Sequence, residues 1–338
     1  MKKKILSILI TIFALCTCMF SLTACSSSTG EPVNNCEHVA DGSGYCTLCN
    51  EIIGSTEGVL YELSDDESFA KVIGYEGTST RVIISNEYQE KPVAFISEYA
   101  FSGCNSLTSI IIPQGITSIG DFAFRWCESL IKIDIPSSVT SLGDNLCEDC
   151  DSLDKINYSG TVDQWSEISF GENPFGYSYK LYLNDELLTS AVITSATKVA
   201  DYAFYGCSSL EYAYISDNVI NVGYAAFFGC PISNLTLGYS VRSVGYGAFY
   251  GCSKLVNVSL SDNLNSIGSR AFSGCSSLTT IIIPNNVISM GENVFYGCNN
   301  LTIYCKAKKQ PSGWNVYWNL GGSMYEAARI PVVWGYMG

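Results

Sequence analysis

Four residues able to ligate a soft or borderline metal lie close together near the N-terminus: Cys36, His38, Cys46 and Cys49. Two pairs of such ligands, the second a C-x-x-C, have the content of a closed structural zinc site. Asp41-Gly42-Ser43-Gly44 supplies a turn that would bring the pairs together. The C-x-H half is tighter than the usual zinc spacing, and the same thiols could form a disulfide, Cys46 with Cys49 or with Cys36, or stay free. In each case the module reads as a structural knot, because no ligand position is left open for a substrate. His38 is the only histidine in the chain. The rest of the sequence therefore has no Ser-His-Asp or Cys-His arrangement and no His-rich catalytic metal site.

A second set of thiols is periodic. Cys104, Cys127, Cys150, Cys207, Cys230, Cys252, Cys275 and Cys298 recur every 22 or 23 residues wherever the array is unbroken. Three residues before them stand Phe101, Phe124, Cys147, Phe204, Phe227, Phe249, Phe272 and Phe295. Such a series could be a metal wire or a redox array. The structural reading is stronger, because cysteine is a small, well-buried hydrophobe and straight stacking keeps neighbouring Cβ vectors parallel, which disfavours disulfides between coils.

A repeat of this length cannot bury its own apolar face, so successive copies must stack over one continuous core. Eight residues before each cysteine the column is aliphatic (Ile96, Ile119, Leu142, Val199, Val222, Val244, Ile267, Met290). Seven before it is mostly glycine (Gly120, Gly143, Gly223, Gly245, Gly268, Gly291), expected to serve a corner with positive φ. After the cysteine, Leu107, Ile110 and Ile112 alternate with polar residues and stop at Pro113; Leu130 to Pro136 and Leu278 to Pro284 repeat the pattern. Period-two alternation predicts a half-buried strand, and identical strands one coil apart predict a parallel ladder with a spacing of about 4.8 Å.

Read as a leader, the N-terminus is an export signal. Lys2, Lys3 and Lys4 precede an apolar run from Ile5 to Phe20, which is too short and too interrupted for a comfortable membrane span. Leu22-Thr23-Ala24-Cys25 resembles the bacterial lipobox, in which the cysteine is acylated and becomes the new N-terminus. The resemblance implies a lipid anchor at Cys25 and a serine-rich tether behind it. The full chain carries a formal charge of −14, and losing its three leader lysines would leave −17. Such a chain is poorly suited to nucleic acid, whose phosphates demand Lys and Arg, and it would be repelled by anionic headgroups.

At its repeat columns the chain resembles the BspA-like (Treponema-type) leucine-rich repeat family of bacterial surface proteins. The segments that carry the likeness are Ala100-Phe-Ser-Gly-Cys-Asn-Ser-Leu-Thr-Ser-Ile-Ile-Ile-Pro113 and Ala271-Phe-Ser-Gly-Cys-Ser-Ser-Leu-Thr-Thr-Ile-Ile-Ile-Pro284. The resemblance implies a β-rich leucine-rich-repeat solenoid on the extracellular face of the bacterial cell membrane, and adhesion or host-protein binding of the kind some members show. The expected organisation is a signal peptide at 1–24, an acylated cysteine and tether at 25–35, the Cys/His module at 36–54 and an N-terminal β cap at 55–94. A solenoid at 95–305 follows, interrupted by an insertion at 154–198, and then an aromatic C-terminal cap at 306–338.

Function would reside on the repeat surface or in the insertion. Tyr205, Phe228, Tyr250 and Tyr296 form one column, broken by Ser273, and Tyr224 and Tyr246 lie nearby. A row of aromatics suits contact with a protein or a glycan, or simply covers a corner of the core. Asp144, Glu148, Asp149, Asp151 and Asp154 gather around one turn, where they read as a solvated acidic corner and not as a calcium loop. The sequence thus favours a lipid-anchored, non-enzymatic interaction protein binding a protein or glycan on host or neighbouring cells. A purely structural envelope protein is the alternative, followed by a carbohydrate-active enzyme working through two carboxylates.

Overall fold

The computed structural model describes residues 54–176, 178–321 and 328–337, together with one short antiparallel pair, Cys25–Ser26 against Pro32–Val33. The chain divides into two units, Met1–Gly54 and Ser55–Gly338. Cys36, His38, Cys46 and Cys49 lie outside the described residues, as does the Cys25 side chain on which lipidation depends. Among the described residues no helix is long and apolar enough to cross a membrane.

The second unit is a solenoid of stacked parallel strands. On one side Arg81–Ile83, Ser109–Ile111, Lys132–Ile135, Lys155–Tyr158 and Lys180–Leu183 form a single ladder. Its register places Ile110, Ile133, Ile156 and Leu181 directly over one another. Alternation sorts the faces: in Lys132–Ile135, Ile133 and Ile135 are buried while Lys132 and Asp134 reach outward. A second line of short strands, among them Ser118–Ile119 and Ser141–Leu142, stacks the aliphatic column. Beyond the insertion the same two lines resume, from Ser190–Ile193 to Asn257–Ser259 and from Lys198–Val199 to Ser289–Met290. The buried residues form one continuous cluster from Val59 to Ile330.

The phenylalanine column is a stacked spine. Ring centroids are 5.5 Å apart for Phe101–Phe124, 4.9 Å for Phe204–Phe227 and 5.3 Å for Phe249–Phe272. Six of the eight repeat thiols tie their coil to the one before. Cys127 Sγ donates to the Phe101 carbonyl at 3.1 Å, Cys230 to Phe204 at 3.0 Å and Cys252 to Phe227 at 3.2 Å. The ten described cysteines are all free.

The glycine column exists for a reason other than the one expected. Gly120 and Gly268 do not have positive φ. A Cβ at Gly120 would sit 2.5 Å from the backbone nitrogen of Glu98, and one at Gly268 would sit 2.5 Å from that of Tyr246. Close approach of one coil's backbone to the next is what excludes a side chain there. Positive φ falls two residues later, on Tyr99, Phe122, Asn145, Tyr202, Ala225 and Arg270.

The insertion keeps contact with the ladder. Lys180–Leu183 pairs with Lys155–Tyr158 on one side and turns back in a hairpin with Glu186–Leu187 on the other. Thr161 and Gln164 form a reciprocal capping box that starts the helix Val162–Glu167. This helix seals the junction between the two halves. The Ser166 carbonyl accepts from Ala200 N–H at 2.8 Å, and Trp165 Nε1 donates to the Ala203 carbonyl at 2.7 Å. Trp165, Phe175 and Tyr179, all buried, fill the core where the spine is interrupted.

At one end, Val59–Leu63 pairs antiparallel with Ala70–Tyr75, which joins the second line of strands through Lys91–Ile96. At the other, Val332–Trp334 adds to Thr302–Cys305, and Trp314, Trp318 and Trp334 gather beneath Phe295.

Candidate interaction cleft

The corner between the two strand lines places side chains at regular heights, because its backbone is bonded coil to coil. Tyr202 N–H donates to the Tyr224 carbonyl at 2.8 Å, and Ala225 N–H donates to that of Tyr246 at 2.9 Å. Gly206 N–H donates to Phe228 at 2.8 Å, and Gly229 N–H to Tyr250 at 2.7 Å. Any side chain type repeated at one corner position must therefore stack on its copy above.

Two such files run side by side. In the first, Tyr205, Phe228 and Tyr250 stack face to face, with centroids 4.7 and 4.8 Å apart. In the second, Tyr202, Tyr224 and Tyr246 follow at 5.2 and 5.0 Å. Tyr202 touches Tyr205 edge-on at 5.7 Å and closes one end. Both files wall a cleft of about 410 Å³, at whose ends lie Asn145, Glu172 and Asn173 of the insertion side and Arg270.

The sequence-predicted residues divide accordingly. Tyr205, Phe228, Tyr250, Tyr224 and Tyr246 share the cleft, and Tyr296 does not line it. Between Tyr250 and Tyr296 stands Ser273, buried, with its hydroxyl donating to the Tyr296 carbonyl at 3.1 Å. Tyr205 is itself 8% exposed and belongs to the floor, whereas Tyr224 at 41% and Tyr246 at 39% are open to a partner. Tyr202, Glu172, Asn173 and Arg270 escaped the sequence reading. Tyr202 has an aromatic signal but sits one column away from its neighbours, and the other three carry no periodic signal. The Tyr202 phenol is held above its ordinary pKa, first by burial and then by the charge of Glu172.

The residues of the acidic corner make links between coils. Asp144 accepts from Glu172 N–H at 2.7 Å, and Asp149 accepts from Trp126 Nε1 at 3.0 Å. Glu148 pairs with Arg125, and Asp154 with Lys180 at 2.8 Å. Among the described residues no group of three or more His, Cys, Asp or Glu side chains is placed to hold a metal ion.

Stacked coils, an L-x-x-L-x-L strand and a shared core define a leucine-rich-repeat solenoid. The chain belongs to the BspA-type leucine-rich repeat family: the profile described as "BspA type Leucine rich repeat region (6 copies)" matches residues 80–175 and 177–302. Similar solved structures are leucine-rich repeat proteins of bacteria. The leucine-rich repeat protein of T. pallidum is 23% identical over 66% of this chain and 88% of that one, with a TM-score of 0.41. A leucine-rich cell surface protein of Faecalibacterium prausnitzii is 19% identical over 90% of this chain and 99% of its own, with a TM-score of 0.36. The pneumococcal vaccine antigen PcpA is 18% identical over 74% and 80%, with a TM-score of 0.42. No curated protein matches the chain.

Proposed function

We propose that this chain is a surface-held interaction protein that engages a protein or glycan partner at its aromatic cleft. The observation that carries the reading is the pair of aromatic files walling one cleft, with Tyr224 and Tyr246 exposed and Phe228 and Tyr250 half-buried behind them. Rigid aromatics lose little conformational entropy on binding and dominate the energetics of recognition surfaces. Here they are fixed in place by backbone bonds on both sides. The Cys25 lipid anchor would hold the chain on the outer face of a bacterial membrane, and Cys36, His38, Cys46 and Cys49 would form a structural knot, with or without zinc, between tether and solenoid.

The cleft does not favour two-carboxylate hydrolysis, since Glu172 is the one acid among its lining residues. The test is a glycan and matrix-protein array probed with the chain and with Tyr224→Ala/Tyr246→Ala. Loss of two exposed anchors is expected to weaken binding at least about tenfold, at roughly 1–2 kcal/mol each, with thermal unfolding unchanged. Undiminished binding by the double variant would refute the assignment of the cleft. The absence of any saturable partner would favour a purely structural envelope role.

A further inference from the structure

One coil departs from the spine. Seven of the eight repeats place phenylalanine three residues before the cysteine; the remaining one places Cys147 there, giving Cys147-Glu-Asp-Cys150. Both columns point into the core in every coil, so this coil turns two thiols inward across a single turn. The turn is closed by Cys150 N–H donating to the Cys147 carbonyl at 3.2 Å. Residues so bonded have Cα atoms under about 7 Å apart, within reach of a disulfide. The other ladder cysteines have a phenylalanine, and no second thiol, at this place in their own turn. Cys150 is 9% exposed, whereas Cys127, Cys207, Cys230, Cys252, Cys275 and Cys298 are fully buried; Cys104 is more open still but has Phe101, not a second thiol, in its turn. Cys147 is smaller than the phenylalanine of the other coils, and its thiol, like that of Cys127, interacts with the Cys150 thiol.

We propose that Cys147 and Cys150 are a reversible disulfide site, closed by a small organic disulfide and reopened by a thiol. The Cys150 thiolate attacks one sulfur of the reagent R–S–S–R, forming Cys150–S–S–R and releasing RS⁻, which takes up the proton that Cys150 lost. Cys147 sulfur, giving up its proton to solvent, then attacks Cys150 sulfur and expels the second RS⁻, which is protonated in turn. Two protein thiols are oxidised and one reagent disulfide is reduced to two thiols. Burial raises the Cys147 thiol, and Cys150, whose sulfur the Cys127 and Cys147 thiols face, ionises first. Closure removes the Cys150 S–H donor from the Phe124 carbonyl and staples the turn next to Asn145, whose N–H holds the Glu172 carbonyl at 2.8 Å.

Tryptic digestion separates the possibilities. Cleavage after Arg125, Lys132 and Lys155 puts Cys127 in one peptide and Cys147 with Cys150 in the next. The folded full chain is treated with hydroxyethyl disulfide, its remaining thiols are alkylated, and the digest is weighed. The expected result is that peptide 133–155 loses two hydrogens, at least about tenfold faster than the Cys252 thiol is consumed, and regains them on thiol treatment. Linkage of that peptide to 126–132, equal reaction along the whole ladder, or an unmodified peptide 133–155 would each overturn the proposal. Cys147→Phe, which restores the spine residue of the other coils, is expected to stop at a Cys150 mixed disulfide. A Cys150 crosslink to any other cysteine in that variant would also overturn it.

Discussion

Phe249→Ala is the sharpest test of the stacked architecture. The ring is fully buried and lies between Phe227, at 5.4 Å and 11°, and Phe272, at 5.3 Å and 14°. Truncating a buried phenylalanine costs about 3–5 kcal/mol, the lost transfer energy plus a cavity that the surroundings fill only partly. Within that cost the two lost ring pairs account for about 1–3 kcal/mol. Backbone bonds pin both neighbours: Phe227 N–H donates to the Ala248 carbonyl at 2.7 Å and Phe272 N–H to that of Val294 at 2.9 Å. They cannot collapse into the hole, so the upper half of the range is expected. Because each coil touches only its neighbours, the damage should stay local. Hydrogen-exchange mass spectrometry on the variant should show lost protection in the coils between Val222 and Met290 and none around Phe101 and Phe124. Phe228→Ala, which removes a half-buried corner ring one position away, is the control and should cost about 1–2 kcal/mol. The reasoning fails if urea unfolding ranks the two variants equally, or if protection falls evenly along the chain.

Two further substitutions probe the junction and the coil contacts. Burial alone would raise the Asp163 carboxyl, but bonds from the backbone N–H groups of Ser195, Ala196 and Thr194 and from the Thr194 hydroxyl hold its pKa below the usual carboxylate value. Its stabilising contribution is therefore complete above the unfolded value of about 3.9 and is lost as pH falls through the depressed folded value. Asp163→Asn should cost about 1–3 kcal/mol at neutral pH and flatten the acid limb of stability, read from urea midpoints at several pH values; an unchanged acid limb would exclude the role. Gly268→Ala drives a methyl group against the Tyr246 backbone and should cost about 3 kcal/mol or more, whereas Gly103→Ala meets no atom within 4 Å and bears only the left-handed cost of about 1–2 kcal/mol at its φ of 76°. Equal losses of melting temperature would show that the coils are not in backbone contact at Gly268.

The spine and the strands were legible because each coil solves the same packing problem. A residue fixed by the stack, such as Phe249 or Ile133, must recur at the period of the stack. The cleft was only half legible for the same reason. Tyr205, Phe228 and Tyr250 announce themselves as a column, but Glu172 and Asn173 enter from the insertion, and Tyr296 is cut off by a single serine. Glycine misled in a specific way. Its column marks a backbone contact between coils, which a sequence cannot distinguish from a demand for positive φ. The hydrogen bonds from thiols to phenylalanine carbonyls were equally hidden, since a small hydrophobe and a weak donor are the same residue.

The left-handed corner explains why the aromatics face outward at all. Tyr99, Phe122, Tyr202 and Arg270 hold φ between 54° and 59°, a conformation that costs a side-chain-bearing residue roughly 1–2 kcal/mol. An isolated repeat has nothing to offset that cost. In the stack the N–H of each such residue donates to the next coil: Tyr99 to Asp121 at 3.0 Å, Phe122 to Asp144 at 3.0 Å, Tyr202 to Tyr224 at 2.8 Å and Arg270 to Glu292 at 2.9 Å. Where ring meets ring, as for Tyr99 and Phe122 at 5.2 Å and 8°, the side chains add their own attraction. The corner conformation is thus a property of the assembled solenoid, held by neighbours, with glycine at this position only in the coil of Gly247. The same turn that reverses the chain sets the flanking side chains on the outside at one height per coil. Files of exposed rings are then the direct outcome of putting tyrosine at these positions in consecutive coils, and the cleft exists only while the coils remain stacked.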